Sequence, residues 1–496
     1  MQHFLILGDQ LNLEVLGQLD PATTQILMIE SIARGQVMPY HKQKLVLLYS
    51  AMRHFRLALE ARGFSVFYQQ VQTFEAGFAA YLQQFPHATL RLMQPAEYGV
   101  DDRLTAIVSS LGGQLEIVPN TLWLSSQADW AQYAGGKKTY RMEFFYREMR
   151  RKTGWLMNGA QPSGGQWNFD AENRQVPAKN HVFPPKLEFV PDSLTLETMA
   201  FVEQHFSSHF GQLEPFNWAV TREDALHVLQ HFLQYRLHDF GAFEDALVDG
   251  ETQLYHSLLS PAVNLGLLTP REVCLAALER DVPLASLEGF IRQILGWREF
   301  MHHVYHSLMP EFRQANHLTQ TRALPDFYWT AQTKMRCVGQ AVQQVQQTGH
   351  AHHIQRLMIL GNFALLAGIR PQAVNDWFLL GFVDAFDWVV TPNVIGMSQY
   401  ADGGSFTSKP YVSGAAYINR MSNHCQHCAY NPKETIGATA CPFNSLYWNF
   451  IQRHLELFGR NPRMSLVVAN WKKRPEADKQ AILEQAATIL ANVETT

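Results

Sequence analysis

The sequence predicts an α/β domain followed by a larger all-α domain. Residues 1–125 read as a Rossmann-like parallel sheet covered by helices, residues 198–496 as an all-helical domain, and residues 126–197 as a basic segment and interdomain linker. Three observations carry this. Continuous apolar runs alternate with amphipathic ones over the first 125 residues, the pattern of a parallel sheet buried on both faces. From about residue 198 a 3.6-residue period runs almost unbroken to the end. Between the two, Pro177, Pro184, Pro185 and Pro191 crowd a stretch that suits a linker.

The elements follow in order. Residues 3–8 and 25–30 read as buried strands. A helix from about Lys42 to Ala61 carries Leu45, Leu48, Met52, Phe55 and Leu59 on one stripe. Further strands are expected at Ser65–Gln69, Thr89–Met93 and Gln114–Val118. The first strand ends in Gly8-Asp9-Gln10 without a G-x-G-x-x-G, so a dinucleotide is not the expected ligand of this domain. Glu30 ends the second strand, where such sheets bind ligands; a solvated loop acid is the plainer reading. Residues 137–152 hold seven Lys/Arg against two Glu, interleaved with Tyr140, Phe144, Phe145 and Tyr146. That pattern fits a nucleic-acid surface or a solvated amphipathic helix equally. Gly159–Gly165 reads as a loop. In the helical half, periodic runs are expected at 221–238, 270–279, 287–308, 330–347, 353–367, 371–382, 443–458 and 475–493.

Composition narrows the class. At 496 residues the chain is long enough for at least two domains, and 47% hydrophobic and 12% aromatic content fit a soluble globular enzyme. A net charge of −4 excludes a globally basic nucleic-acid protein, so any phosphate contact is local. No apolar run reaches the ~20 residues of a membrane span, and nothing at the start reads as a targeting segment. The expected location is the cytoplasm, without membrane association, and the expected state a monomer.

Three of the five cysteines fall in Cys425-x2-Cys428-x12-Cys441-Pro442. Two thiolates three apart can bite one metal centre, and a third can close over it from a loop. Cys337 is the upstream cysteine placed to supply a fourth ligand. Such a set suits a cubane iron–sulfur cluster or tetrahedral zinc, and spacing does not separate them. Disulfides are discounted, with so few cysteines in so long a chain. Cys274 reads as an ordinary buried residue.

The helical half also holds Ser257-Leu258-Leu259-Ser260-Pro261 with Gly266, Thr269 and Pro270, then Gln293 and Trp297, then His352-His353-x2-Arg356. Asp376-Trp377, Asp384, Asp387-Trp388 and Asn393 follow. Hydroxyls at helix starts can meet phosphates, though most only cap helices. Arg356 is placed to pair with Asp384 or Asp387, a buried pair that a nitrogen- and oxygen-rich ring would complete. His353 suits a proton donor, with a surface helix start as the plainer reading. Core packing is the plainer reading of Trp297, Trp329, Trp377 and Trp388.

In this order S-L-L-S-P-x4-G-x-L-x-P, W-R-E-F, H-H-x-x-R and D-x-x-D-W-x-x-x-P-N resemble the flavin-binding helical domain of the photolyase/cryptochrome family. With Cys337 and the three-cysteine motif, and with the N-terminal I-L-G-D-Q-L and Ser50–Phe55, the chain resembles its iron–sulfur bacterial branch, the prokaryotic (6-4) photolyases. The resemblance spans nearly the whole chain. It implies a 4Fe-4S cluster on Cys337, Cys425, Cys428 and Cys441. It implies FAD, with Ser257 and Leu258 at the phosphates, Arg356 paired with Asp384, and Asp387, Asn393, Gln293 and Trp297 near the flavin. A 6,7-dimethyl-8-ribityllumazine antenna is implied in the first domain, with Glu30 and the Tyr40–Lys44 region as contacts. A divalent ion such as Mg is left open.

The implied reaction is light-driven repair of (6-4) photoproducts in damaged DNA. His353, beside His352, would donate a proton to the lesion, so activity should fall as pH rises past the loss of that proton. Tyr411 and Tyr417 would face the lesion, and Trp377 and Trp329 would relay electrons inward. The competing expectations are a cryptochrome photoreceptor without repair and a non-photochemical nucleic-acid binder.

Overall fold

A computed structural model describes residues 1–178 and 180–495. Residue 179, inside the expected linker, and residue 496, at the end of the expected helical domain, lie outside the described residues. Five strands, β1 (Gln2–Leu5), β2 (Thr24–Ser31), β3 (Ser65–Val71), β4 (Thr89–Met93) and β5 (Gln114–Val118), form one parallel sheet in the order β3-β2-β1-β4-β5. The period of two divides each strand between two cores. Leu5, Leu27, Ile29, Leu90 and Leu92 pack against Phe78, Tyr81 and Leu104 on one face. Phe4, Ile6, Ile26 and Met28 face the other way, towards Met52 and Phe55.

β1 stops short of Gly8. The amide of Ile6 still reaches Leu27 O, but Gln10 then takes over the edge: its Oε1 accepts from Leu7 N–H and its Nε2 donates to Met93 O. The helix Lys42–Glu60 is buried well beyond the expected stripe, adding Val46, Leu47, Tyr49, Ala51 and Arg53. The reason is its place in the seam, with the sheet on one side and the helix Ser193–Phe206 along another. That second helix starts inside the expected linker, directly after Pro191, because Asp192 accepts from Thr195 N–H as its N-cap. The expected loop at 159–165 includes a small hairpin, Met157–Asn158 with Gln161–Pro162.

Both halves share one continuous core, running from Phe4 to Phe406. Backbone bonds stitch the seam: Leu11 N–H to Leu265 O (2.9 Å) and His41 N–H to Leu380 O (2.8 Å). Gly266 sits at φ +86°, and a Cβ there would lie 2.9 Å from Leu11 N, so only glycine allows this approach. In the helical half three long helices are interrupted by π-helical turns, Arg292–Arg298, Gln355–Gly361 and Pro392–Ser398. Such turns shift side chains off the α-helical register and favour functional sites. The expected helix at 330–347 begins at Arg336, after a short turn Phe327–Thr330 that closes on Ala331 at φ +60°. Among the described residues, no helix is long and apolar enough to cross a membrane.

The seam is locked by a buried ion pair. Glu30 accepts from Arg53 Nη2 (2.5 Å) and Nε (3.0 Å) and from Tyr68 OH (2.6 Å), while Arg53 Nη1 donates to Thr198 Oγ1 (3.0 Å). Arg53→Met leaves the carboxylate buried without its cation, which costs about 3–5 kcal/mol. The urea midpoint should fall accordingly; an unchanged midpoint would contradict the pairing.

Candidate functional site

The site is built on Arg356, in the first π-helical turn after His353. Its guanidinium reaches Asp384 with both ends, Nη1 to Oδ1 at 3.0 Å and Nη2 to Oδ2 at 3.1 Å. Its Nε donates to Ala351 O (2.7 Å), and its plane lies 3.9 Å from the centre of the Phe382 ring. Asp384 also accepts from Ser260 Oγ (2.7 Å), and Asn264 Nδ2 donates to its backbone carbonyl (2.9 Å). Of the two acids that the sequence offered to Arg356, the structure therefore selects Asp384. Burial alone would raise the Asp384 carboxyl, but Arg356, His350 and the bonds from Arg356 and Ser260 hold it down to about 2. Gly361 permits the close approach behind Arg356, since a Cβ there would meet Ser398 Oγ at 2.1 Å.

Ser257, Leu258, Gln293, Trp297 and Asn393, on separate elements, all stay partly accessible. Leu258 adopts φ +55°, an uncommon conformation for a branched residue. Gln293 and Trp297 share one π-helical turn, and Asn393 sits on another, its Nδ2 donating to Val389 O. Thr269, by contrast, only caps its helix, in a reciprocal box with Glu272. Asp387 points elsewhere. It accepts from Tyr305 OH (2.5 Å), Thr391 Oγ1 (2.7 Å) and Arg313, and its N–H donates to Glu97 across the seam (3.0 Å).

The His353 side chain is half exposed, with Nε2 3.1 Å from Asp245 Oδ1. Its ring stacks on His352 (4.8 Å, 17°) and lies 5.2 Å from His256. His352 is buried and accepts from Ile354 N–H through Nδ1, which fixes it as the Nε2–H tautomer. His256 makes its ring bond through Nε2, to the Glu244 carbonyl. Burial pushes both of these imidazoles well below the usual histidine range, so they stay neutral. Tyr417 is raised to about 12, by burial first and then by Asp245. Tyr411 is raised by burial and by Asp170. The structure thus sets His353 against Asp245 with His352 stacked on it, and the charges of Asp245 and Asp170 reach Tyr417 and Tyr411 respectively. Asp170, Arg174, Glu244 and Asp245 lie outside any sequence motif, and no local signal marked them.

Trp377 is buried and donates Nε1–H to Tyr328 O (2.9 Å), whereas Trp329 is 38% exposed. Phe210 bridges them, 5.6 Å from Trp329 and 6.3 Å from Trp377, and Phe382 continues inward 5.8 Å from Trp377. An aromatic file therefore runs from the surface to the ring beneath Arg356.

All four predicted cysteines, Cys337, Cys425, Cys428 and Cys441, line one small cavity, with His424, Tyr430 and Phe443. Every cysteine of the chain is a free thiol, and Cys274 is fully buried elsewhere. Burial, then the Cys428 thiol, pushes Cys425 to about 11; burial chiefly, opposed by a backbone bond at Phe443, leaves Cys441 at about 12. Four converging sulfurs without a compensating cation are costly as thiolates, the condition that a bound metal centre reverses.

A separate cavity of about 360 Å³ opens at the carboxyl ends of β1, β2 and β4, where the strand order reverses. Asp9, Arg34, Tyr40, Lys44 and Glu97 line it among apolar neighbours. Ile29 and Ser31 face it, and Glu30 between them points to the opposite face, into its pair with Arg53. The basic segment becomes the helix Met142–Thr153. Arg147 pairs with Glu143 (2.9 Å) and Lys152 with Asp129 (2.5 Å), and Arg150 is buried on backbone carbonyls.

The depressed carboxyl of Asp384 makes stability depend on acid. Its contribution is complete above about pH 4 and lost as pH falls through about 2, amounting to about 2–3 kcal/mol. Asp384→Asn should flatten the loss of tryptophan-monitored stability between about pH 4 and pH 2; a wild-type acid limb in that variant would refute the assignment.

Residues 4–218 match the family described as deoxyribodipyrimidine photo-lyase-related protein. A (6-4) photolyase of Agrobacterium fabrum is 42% identical over 506 residues, which cover 99% of this chain and 100% of that one. Two solved structures share the fold: a bacterial class III photolyase from Agrobacterium tumefaciens (TM-score 0.59, 15% identity, 100% and 98% of the two chains) and a Synechocystis cryptochrome (TM-score 0.60, 14% identity, 100% and 99%). With a parallel sheet leading into a helical domain, and a relative of that identity along its whole length, the chain belongs to the photolyase/cryptochrome family.

Proposed function

We propose that this chain repairs (6-4) pyrimidine–pyrimidone photoproducts in DNA under light. The observation that carries the reading is the half-exposed His353 imidazole, held against Asp245 and set three residues before the Arg356 that pairs with Asp384. The full-length relative named a (6-4) photolyase supports the substrate class.

The family implies FAD. The partly accessible Ser257, Leu258, Gln293, Trp297, Arg356 and Asn393 fit such a group by their chemistry, with hydroxyl, amide and guanidinium donors beside a leucine and an indole. Bound there, FAD supplies a light-driven electron to the lesion. The protein's own residues do the rest. Tyr411 and Tyr417 form the wall against which the flipped-out dinucleotide lesion rests, and extrusion costs least at a damaged, unstacked site. His353 hands a proton to the reduced lesion, which stops the electron from returning. His352, buried and neutral, packs beneath His353 and fixes its ring. Trp329 and Trp377 relay electrons inward along the aromatic file.

Cys337, Cys425, Cys428 and Cys441 hold a 4Fe-4S cluster that ties the loop 425–441 to the helix Arg336–Thr348. The cavity beside Tyr40 and Lys44 takes the ribityllumazine antenna; at about 360 Å³ it is within the range of small-ligand sites. The antenna domain is residues 1–125 and the catalytic domain 198–496.

Purified protein under blue light should convert a (6-4)-containing oligonucleotide to intact thymines, and persistence of the lesion would reject the proposal. His353→Ala should lower repair at least about 100-fold, as expected for loss of a general acid, while flavin absorbance is kept. Cys441→Ser should give insoluble or iron-free protein. Soluble protein with full iron would argue against the four-cysteine centre.

A further inference from the structure

His353 has a partner that no sequence motif marks. Asp245 lies 108 residues away in the chain, just after the helix Leu237–Phe243, and its Oδ1 is 3.1 Å from His353 Nε2. Its side chain is 18% exposed, against 50% for His353, so the carboxylate lies behind the ring and the ring faces the solvent. The other carboxylate oxygen is 4.0 Å from Arg174 Nε, at the rim. We propose that Asp245 is a positioning residue for the proton transfer. It holds His353 by Nε2–H and leaves Nδ1 as the nitrogen that serves the lesion. This inference rests on the proton-donor reading of His353 given above.

The logic is that of a carboxylate–imidazole pair. A neutral histidine bonded at Nε2 carries its proton there and cannot deliver one from Nδ1. The imidazolium carries both, and an acid within hydrogen-bond reach favours that charged form. In the transfer the Nδ1–H bond breaks, its proton joins the lesion already reduced by the light-driven electron, and the ring becomes neutral with Nε2–H still bonded to Asp245. No further reactant is needed.

Other groups around His353 do not supply this effect. His256 and His352 are neutral through burial. Arg356 is spent on Asp384. Arg174 opposes the charge and acts through the same carboxylate. Glu244 is buried, accepts from Asn173 (3.3 Å), and is pushed up to about 7 by burial first, so it is the one rival acid and needs its own control.

Repair of a (6-4) oligonucleotide is measured across pH 5.5–9 in the flavin-loaded protein. Asp245→Asn should move the basic limb to lower pH by about one unit or more and cut repair at pH 8 by about tenfold or more, with flavin content and DNA affinity unchanged. Asp245→Glu should restore most of the limb, and Glu244→Gln should leave it in place. A wild-type limb in Asp245→Asn, or a limb that moves with Glu244→Gln instead, overturns the proposal. If Asp245→Asn fails to fold, the ring ¹⁵N shifts of His353 in the wild-type protein and in Asp245→Glu decide: Nδ1 must be the nitrogen that loses its proton, and titration at Nε2 overturns the proposal. Full repair by His353→Ala would instead reject the donor reading itself.

Discussion

Arg356 and Asp384 form a two-pronged ion pair in the interior of the helical half, and most of the site takes its position from them. Such a pair gains little net stability unless its remaining donors and acceptors are also met. Ala351, Ser260 and Asn264 meet several of them, and in doing so tie the helix Ser260–Leu265 and the turn at Asp384 to the π-helical turn that carries Arg356. The pair therefore fixes the geometry of the cleft more than it stabilises the fold. Arg356 lies over the Phe382 ring, and His353 stands one turn before it in the chain.

The same economy governs the seam between the halves. Instead of two cores joined by a tether, one core runs through both, and the helix Lys42–Glu60 is buried nearly all round. Glu30 and Arg53 lock its outer side, Gly266 lets two backbones touch, and Glu97 caps Asp387 across the boundary. The cavity at the ends of β1, β2 and β4 is lined from both halves, with Leu379 and Phe386 facing Tyr40 and Lys44. This cavity lies between the sheet and the segment that carries Asp384.

Much of this was legible in the sequence, and the limits have physical causes. Strands β4 and β5 and the helix from Lys42 were readable because their apolar period has no competitor. The end of β1 was not, because a side chain, Gln10, replaces the ladder there. Only the first turn of the helix Ser193–Phe206 fell in the expected linker, since nearby prolines outweighed a single Asp192 cap. The π-helical turns are invisible to a 3.6-residue period, yet they carry Gln293, Trp297, Arg356 and Asn393. Motif order placed Arg356, His353 and the four cysteines. It could not say that Glu30 faces away from the cavity, because facing depends on register. Nor could it find Asp245, whose meaning comes only from a neighbour 108 residues away.

The central claim is that the Arg356–Asp384 pair exists to be completed by a ring cofactor. The direct measurement is FAD content per chain, by absorbance after denaturation, in the Arg356→Met/Asp384→Leu double variant. Replacing both charges by apolar groups of similar size spares the fold, so the account predicts folded protein with flavin content close to zero. A folded double variant that still carries one flavin per chain would contradict it.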